Sequence, residues 1–362
     1  NNTGTRVFVR SHRDRLDQTI AVLEEKLLKP RFSEEDFKRV KKQMLENIKN
    51  QRTQSNVVAN RAFQNLIYGN TILGSYYTGT YKTVNSIKLE DVQKFYKENY
   101  SPDLTNLVVV GDIEKDVVVE KLAFLDAWKP TGAKLPEITN FPKYEGTQMF
   151  LIDRPGAPQS QIRIGFLAHA YDYNGEFFKA NIMNYSLGGN FNSRINQNLR
   201  EDKGFTYGAR SFFQGNEYPG PFVAAASVRT SATDSAITEF MKEIEMYKKD
   251  GIKDEELADT KSSILQSEIL NYETSFQKGI FMNNILRYKL PDTFIDEQEE
   301  IVKKITKEEV NQLAMANLKT DEMIILVVGN SYVVKKKMEK LGYGKVKELD
   351  VNDINLKEFK KQ

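Results

Sequence analysis

Leu107-Val108-Val109-Val110-Gly111 is an apolar run that ends in glycine, and the chain returns to this pattern at Ile324-Ile325-Leu326-Val327-Val328-Gly329. The terminal glycines, Gly111 and Gly329, lie 218 residues apart. Short apolar runs bounded by turn residues are typical of buried strands. The recurrence therefore indicates two copies of one structural module.

Two further matches keep nearly the same spacing. Ser86–Val92 matches Lys304–Val310 at an offset of 218 residues, and Phe32–Phe37 matches Ile252–Leu257 at an offset of 220. A constant offset over several segments is the signature of an internal repeat, here of modules of roughly 200 residues. The first copy begins inside the module, so we expect this chain to be a fragment whose opening segment lay before residue 1.

The repeat and the prolines together predict the domain organisation. Residues 1–128 are expected to form a truncated first module and residues 149–345 a complete second module. Between them, residues 129–148 carry Pro130, Pro136 and Pro142 and are predicted to be a linker. Residues 346–362 are predicted to be a polar tail.

The predicted fold class is α+β, with two homologous modules that each have a mainly antiparallel sheet and helices packed on one face. In the first module we expect a strand at Arg6–Ser11, a helix from Leu16 that stops before Pro30, and a helix that begins with a capping box at Ser33 and Asp36. The remaining predicted elements are a helix near Leu89, a strand at Leu107–Val110, a helix from about Phe177, and strands at Met149–Asp153, Gln161–Ala168, Tyr207–Gln214 and Phe222–Arg229.

Composition excludes several functional classes. The 52 lysines and arginines nearly balance the 50 acidic residues, whereas a dedicated nucleic-acid-binding protein usually has a larger, clustered excess of positive charge. The chain has no cysteine, which excludes a disulfide framework and a cysteine-ligated zinc site. No apolar run is long enough to cross a bilayer. We therefore predict neither a nucleic-acid partner nor a membrane span.

The densest cluster of chemically useful residues lies between Gly188 and Gly208. The paired glycines, Gly188 and Gly189, allow a tight turn with positive φ. Asn192 or Ser193 can cap a short helix that ends near Arg200, and Gly204 then releases the chain into the next strand. From residue types alone, this stretch is explained equally well by a functional cluster and by a purely structural helix–turn–strand junction with a surface arginine.

The run from Gly188 to Gly208 resembles the C-terminal domain of the insulinase/pitrilysin family of zinc peptidases, which includes the mitochondrial processing peptidase. The paired modules and their terminal Val-Val-Gly strands are similar to that family too. The resemblance implies that an arginine and a tyrosine seven residues later, here Arg200 and Tyr207, hold a peptide substrate beside Gly188 and Gly189. It also implies that the substrate adds as a strand to an exposed sheet edge. Aromatic residues near this pair are candidates to line a substrate cleft: Phe212, Phe213 and Tyr218.

The family's zinc motif, His-x-x-Glu-His, is absent from this sequence. Neither His12 nor His169 has the pattern, and His169 is predicted to be a strand-end histidine with local hydrogen bonds. Glu46 falls where the resemblance places the downstream zinc ligand, but Arg39 stands seven residues earlier, where the family has a supporting glutamate. A cation at that place opposes metal binding, and an exposed glutamate on an amphipathic helix explains Glu46 as well.

We therefore expect no metal ligands in this chain and zinc only in the complete enzyme. The favoured function is the substrate-binding, non-zinc half of a zinc metalloendopeptidase. Its partners would be a peptide and a zinc-bearing half, on the same polypeptide or on a partner subunit. One alternative is a catalytic half whose zinc motif lay before residue 1, and another is a non-enzymatic structural or peptide-binding relative. Resemblance to bacterial family members suggests the periplasm.

Overall fold

The computed structural model describes residues 2–267 and 272–350. Two compact units divide the chain. The first contains the described residues of Asn1–Lys49, Tyr77–Glu137 and Ile269–Leu290. The second contains those of Asn50–Tyr76, Ile138–Glu268 and Pro291–Gln362. Each unit thus combines segments that are far apart in sequence, and Asn50–Tyr76, predicted as part of the first module, is grouped with the second unit.

Helices account for most of the regular structure. In chain order they are α1 (Leu16–Leu28), α2 (Glu34–Thr53), α3 (Ser55–Tyr68), α4 (Tyr81–Ser86), α5 (Leu89–Asn99), α6 (Lys115–Lys121), α7 (Glu176–Asn184), α8 (Arg194–Asn196), α9 (Thr233–Asp250), α10 (Asp254–Ser267), α11 (Ser275–Tyr288), α12 (Phe294–Lys304), α13 (Lys307–Asn317) and α14 (Ser331–Glu339). The strands are β1 (Gln148–Asp153), β2 (Gln159–Leu167), β3 (Thr206–Phe213), β4 (Pro221–Arg229), β5 (Ile324–Gly329) and β6 (Val346–Glu348).

The first unit contains α1, α4, α5, α6, α11 and most of α2. Local sequence signals define the start of α2 as predicted: the Asp36 backbone N–H donates to Ser33 Oγ at 3.1 Å, and Ser33 Oγ donates to the Asp36 carboxylate at 2.8 Å. The repeat is also visible in the helices, because α5 and α13 each have 11 residues and begin 218 residues apart.

The strands predicted for the first module are not formed. Among the described residues of the first unit there is no strand, and both Arg6–Ser11 and Leu107–Val110 lack regular structure. Leu107 is 52% exposed and Val109 is 46% exposed. A strand requires hydrogen bonds to neighbouring strands, and β5, the counterpart of Leu107–Val110, has β1 and β2 on its two sides. The described part of the first unit offers no such neighbours.

The second unit contains a six-stranded sheet with the order β3-β4-β2-β5-β1-β6. The pairs β3–β4, β4–β2 and β2–β5 are antiparallel, whereas β5–β1 and β1–β6 are parallel. The α+β class is confirmed, and the sheet of the second unit is mainly antiparallel, with two parallel pairs at the β5–β1–β6 end. Val346–Glu348, predicted as the start of the polar tail, forms β6, and the predicted tail beyond residue 350 lies outside the described residues.

Helices cover both faces of this sheet, which corrects the prediction of a single covered face. One face carries Met149 and Leu151 of β1 and packs against apolar residues of α7, α9, α13 and α14. The opposite face carries Phe150 and Ile152 and packs against α3. Every residue of β5 is buried. A strand that is apolar at consecutive positions needs cover on both sides, and α3 supplies the second cover.

Candidate functional site

The paired glycines lie in a π-helical turn, Tyr185–Gly189, that continues α7. Neither Gly188 nor Gly189 has the predicted positive φ. Glycine at position 188 is explained by close packing instead, since a Cβ there would lie 2.1 Å from Ser211 Oγ and 2.4 Å from the Ser211 backbone nitrogen. The turn therefore rests directly on strand β3.

A cleft of about 430 Å³ lies between this turn and β3. Its walls come from α7, the π-helical turn, β3 and Ile264 of α10. The lining is mostly apolar or aromatic, with Arg210 as its charged residue; the residues are Phe178, Asn181, Ile182, Asn184, Tyr185, Gly188, Gly189, Arg210, Ser211, Phe212 and Ile264. The predicted substrate-binding glycines thus line a cleft.

Asparagine side chains occupy part of the outer edge of β3. The Ala209 backbone N–H donates to Asn196 Oδ1 at 2.9 Å, and Asn184 Nδ2 donates to the Ser211 carbonyl at 2.8 Å. Ser211 Oγ also donates to Asn184 Oδ1 at 2.5 Å. At these residues the backbone groups that an added strand would use already have partners, so strand addition along this part of β3 would require their displacement.

Arg200 lies in a second π-helical turn, Gln197–Asp202, just before the strand. Its guanidinium carbon lies 4.4 Å from the centre of the Phe191 ring, and its Nε lies 3.4 Å from the Glu201 carboxylate. Its Nη1 is buried and has no hydrogen-bond partner among the described residues. An unsatisfied buried donor is costly, by about 1–3 kcal/mol, so an acceptor that reached this atom would relieve that cost.

Tyr207 follows on β3, where its side chain is 93% exposed. Gly204 turns the chain between Arg200 and Tyr207 with φ of +59°, as predicted, and its N–H donates to the Arg200 carbonyl at 3.2 Å. The register of β3 against β4 shifts between Thr206 and Ala209, so Tyr207 lies in a bulge. The structure describes no hydrogen bond between the Arg200 and Tyr207 side chains, and their common role stays a prediction.

The other predicted residues have diverse surroundings. Ser193 precedes α8 as expected, but its side chain makes no capping hydrogen bond. Phe212 lines the cleft, whereas Phe213 is buried in the core and packs on Phe222 with ring centres 5.0 Å apart. Tyr218 packs against the core cluster on the α3 face. Of the three aromatic candidates, Phe212 is the one placed in the cleft wall.

A partly buried ion pair between α8 and α10 was missed by sequence reasoning. Arg194 donates through Nε to Glu256 at 2.7 Å and through Nη2 to the same carboxylate at 2.5 Å. Its guanidinium also lies 4.7 Å from the centre of the Tyr247 ring, and the Tyr247 hydroxyl donates to the Met183 carbonyl at 2.8 Å. Arg194 and Glu256 are 62 residues apart, so no local pattern could have indicated their pairing.

The histidines and Glu46 do not fit a zinc site. His169 follows β2 and contacts the side-chain oxygen of Asn317, which is 148 residues away and so is not a local partner of the predicted kind. His12 lies 3.3 Å from the exposed Asp14 carboxylate. Glu46 pairs with Lys49 at 3.3 Å. It shares a groove on α2 with two further cations, Arg39 and Lys42. Within residues 2–267 and 272–350, no three His, Asp or Glu side chains cluster closely enough to hold a metal ion.

No helix in the described ranges is both long and apolar enough to span a bilayer. Non-peptidase homolog YmxG of Helicobacter pylori is 24% identical over 320 residues, which are 87% of this chain and 72% of the relative. The uncharacterized zinc protease YmxG of Bacillus subtilis is 23% identical over 82% of this chain and 71% of its own length.

Solved structures show the same fold at low sequence identity. The peptidase M16 inactive domain from Pseudomonas fluorescens superposes with a TM-score of 0.79 at 22% identity, covering 88% of this chain and 76% of that one. A protease from Helicobacter pylori gives 0.78 at 18% identity, over 88% and 77% of the two chains. The family model of the peptidase M16 inactive domain matches residues 86–264, which include the glycine turn, Arg200 and Tyr207. Through residues 86–264 the chain is thus similar to the inactive domain of the M16 peptidases.

Proposed function

We propose that this chain is the substrate-holding, non-zinc half of an M16 metalloendopeptidase. The zinc-bearing half would be supplied by the same polypeptide or by a partner subunit. The match to an inactive domain supports a non-catalytic role, and the lack of fit to zinc at Glu46 and the two histidines agrees with it. In this arrangement the chain binds and orients a peptide, and the bond-breaking chemistry belongs to the other half.

The observation that carries this proposal is the unpaired Nη1 of Arg200, on a side chain that is 33% exposed. Its guanidinium is held against Phe191 and Glu201, so little side-chain freedom remains to be lost on binding. Nη1 lacks an acceptor among the described residues. A peptide carbonyl can accept a charge-assisted hydrogen bond from such a donor, and the exposed Tyr207 hydroxyl can donate to a neighbouring carbonyl. Hydrogen bonds to carbonyls place a peptide without selecting its sequence.

The experiment measures the affinity of the whole chain for a fluorescently labelled, extended peptide by anisotropy. Arg200→Ala removes a charge-assisted hydrogen bond and is expected to weaken binding about 10- to 100-fold. Tyr207→Phe removes a neutral hydrogen bond and is expected to weaken binding about two- to tenfold. Neither variant should lose its folded structure, because Tyr207 is exposed and Arg200 makes only one ion pair.

Two matched controls lie on the same unit. Arg229→Ala removes an exposed arginine at the end of β4, and Tyr332→Phe alters a tyrosine on α14 that is 95% exposed. Both controls should bind like the unaltered chain. Equal affinity for the peptide in all five proteins would refute a substrate-holding role for Arg200 and Tyr207.

A non-enzymatic peptide-binding role is the second candidate. The observation that favours it is the printed name of the Helicobacter pylori relative, a non-peptidase homolog. A chain of Complex III2 from Candida albicans has the same fold, with a TM-score of 0.74 over 91% of this chain at 12% identity. If peptide binding depends on Arg200 while no zinc-bearing half confers turnover on the complex, this second role is the correct one.

A further inference from the structure

Two arginines lie in one cross-strand row on the sheet of the second unit. Arg163 of β2 pairs with Ala225 of β4, and Arg210 of β3 pairs with the same alanine from the other side. Residues directly opposite each other in a sheet project from the same face. The two arginines therefore flank Ala225 on one face, with their Cα atoms separated by two strand spacings, or about 9–10 Å.

Neither arginine has a carboxylate partner among the described residues. Arg163 donates to Asn60 Oδ1 at 2.9 Å and to the Ile162 carbonyl at 2.8 Å, both of which are neutral. The Arg210 guanidinium carbon lies 5.4 Å from the centre of the Phe212 ring. Burial, together with the charge of Arg210, lowers the pKa of Arg163 to about 10. The two cations are thus close enough to repel each other, and no acidic side chain in the described ranges compensates them.

Ala225 lies between the two arginines on the sheet face that packs against α3. It is partly exposed and has only a methyl group, so no long side chain stands between the arginines in this row. Arg210 is exposed and lines the 430 Å³ cleft together with Phe212. On the other side of the row lie neutral polar groups, since Gln161 donates to Ser227 Oγ at 2.8 Å. Tyr207 is in the bulge of β3 that faces this part of β4.

We propose that Arg163 and Arg210 form a carboxylate-binding site for the peptide that this chain holds. Guanidinium groups match carboxylates because two parallel N–H groups can donate to the two oxygens, and two arginines can satisfy all four oxygen lone pairs. The apolar cleft wall beside Arg210 fits a bulky apolar residue next to that carboxylate. The substrate class is therefore a peptide with an apolar residue adjacent to an acidic side chain or to a free C-terminus. This inference rests on the proposed peptide-holding function.

The experiment compares four labelled peptides of otherwise identical sequence. All four peptides have phenylalanine as the penultimate residue. The last residue is glutamate or glutamine, and each of these two sequences is made with a free and with an amidated C-terminus. We expect the unaltered chain to bind the peptide with both carboxylates at least about tenfold more tightly than the peptide with neither. Loss of affinity on replacing glutamate alone assigns the side chain as the ligand, and loss on amidation alone assigns the C-terminus.

Variants connect this preference to the two arginines. Arg210→Gln and Arg163→Gln should each reduce the preference to about threefold or less, while the control Arg229→Gln, at the end of β4, should keep it in full. Because Arg163 is half-buried, Arg163→Lys provides a variant that keeps the charge and loses the paired donors, and it should show an intermediate preference. Thermal unfolding identifies any variant that fails to fold. If Arg163→Gln does not fold, the result for Arg210→Gln decides, because Arg210 is exposed and its replacement should leave the fold intact.

The outcomes separate this inference from the function on which it rests. If the unaltered chain binds all four peptides equally well, the carboxylate site is refuted and the peptide-holding function stands. If Arg163→Gln and Arg210→Gln keep the full preference, the carboxylate binds elsewhere and the site is refuted as well. If none of the four peptides binds, both the carboxylate site and the proposed function are overturned.

Discussion

At the scale of single residues, the Arg194–Glu256 pair shows how a charged group is kept inside this fold. Burial alone would raise the pKa of Glu256. The hydrogen bonds from Arg194 and from the Lys253 backbone N–H, together with the Arg194 charge, outweigh burial and hold the pKa of Glu256 below its ordinary value. A carboxyl whose pKa is lowered by folding stabilises the protein above the pKa of the unfolded state, and this contribution is lost as the pH falls through the folded pKa.

Glu256→Gln should therefore lower the free energy of unfolding by about 2–3 kcal/mol at pH 7, because it leaves Arg194 largely buried without a counter-charge. The difference from the unaltered chain should shrink as the pH falls below the ordinary pKa of glutamate and through the lowered pKa of Glu256, because Glu256 then becomes protonated. Thermal and urea unfolding at several pH values measure this. Glu255→Gln, at an exposed neighbouring position, is the matched control and should change little. A difference that stays constant through this fall in pH would contradict the assigned role of the charge.

At the scale of elements, the contact between the π-helical turn Tyr185–Gly189 and β3 shapes one wall of the cleft. The turn approaches so closely that there is no room for a Cβ at Gly188. Part of the obstruction is the Ser211 backbone nitrogen, which cannot rotate away as a side chain could. The turn can lie this close to β3 only because glycine at position 188 has no side chain.

Gly188→Ala should lower the free energy of unfolding by about 1–3 kcal/mol through overpacking, and it should also weaken peptide binding because the turn must move. Gly208→Ala is the control, since a Cβ there would have its nearest described neighbour 4.0 Å away. Chemical unfolding of both variants, with peptide anisotropy in parallel, tests the prediction. Equal stability of the two variants would show that the turn can shift from β3 at no cost.

At the scale of the whole molecule, the chain has few residues of the types that bind zinc, and His169 and Glu46 already contact other side chains. The chain has two histidines and no cysteine. His169 is bound to Asn317 and Glu46 is surrounded by lysine and arginine side chains. A cation bound at Glu46 would have to overcome repulsion from these neighbours as well as break the pair with Lys49.

We expect the purified chain to retain less than about a tenth of one zinc ion after dialysis against zinc-free buffer, as measured by elemental analysis. Glu46→Ala, the control for the one carboxylate that the family resemblance places near a metal, should retain the same amount. One zinc per chain that disappears in Glu46→Ala would contradict this expectation and would favour a catalytic origin for the first module.

Much of this architecture follows from local sequence patterns. The capping residues at Ser33, the stop before Pro30, the equal helices α5 and α13, and the four strands predicted for the second module all agree with the structure. These features depend on backbone preferences and on the period of apolar residues, which act over a few positions along the chain. The seven-residue spacing of Arg200 and Tyr207 is likewise a property of the sequence alone.

Only the tertiary structure decided the features that depend on distant partners. The segment Leu107–Val110 has the same apolar pattern as β5 but no neighbouring strands in the part of the chain that the structure describes, so pattern alone could not decide whether it forms a strand. The cover of the second sheet face by α3 and the pairing of Arg194 with Glu256 join segments far apart in sequence. Arg163 and Arg210 lie in one row because β2 and β3 each pair with β4, and in both pairs the arginine lies opposite Ala225. The register of a strand pair depends on both strands, so the sequence of one strand alone does not determine which residues lie opposite each other.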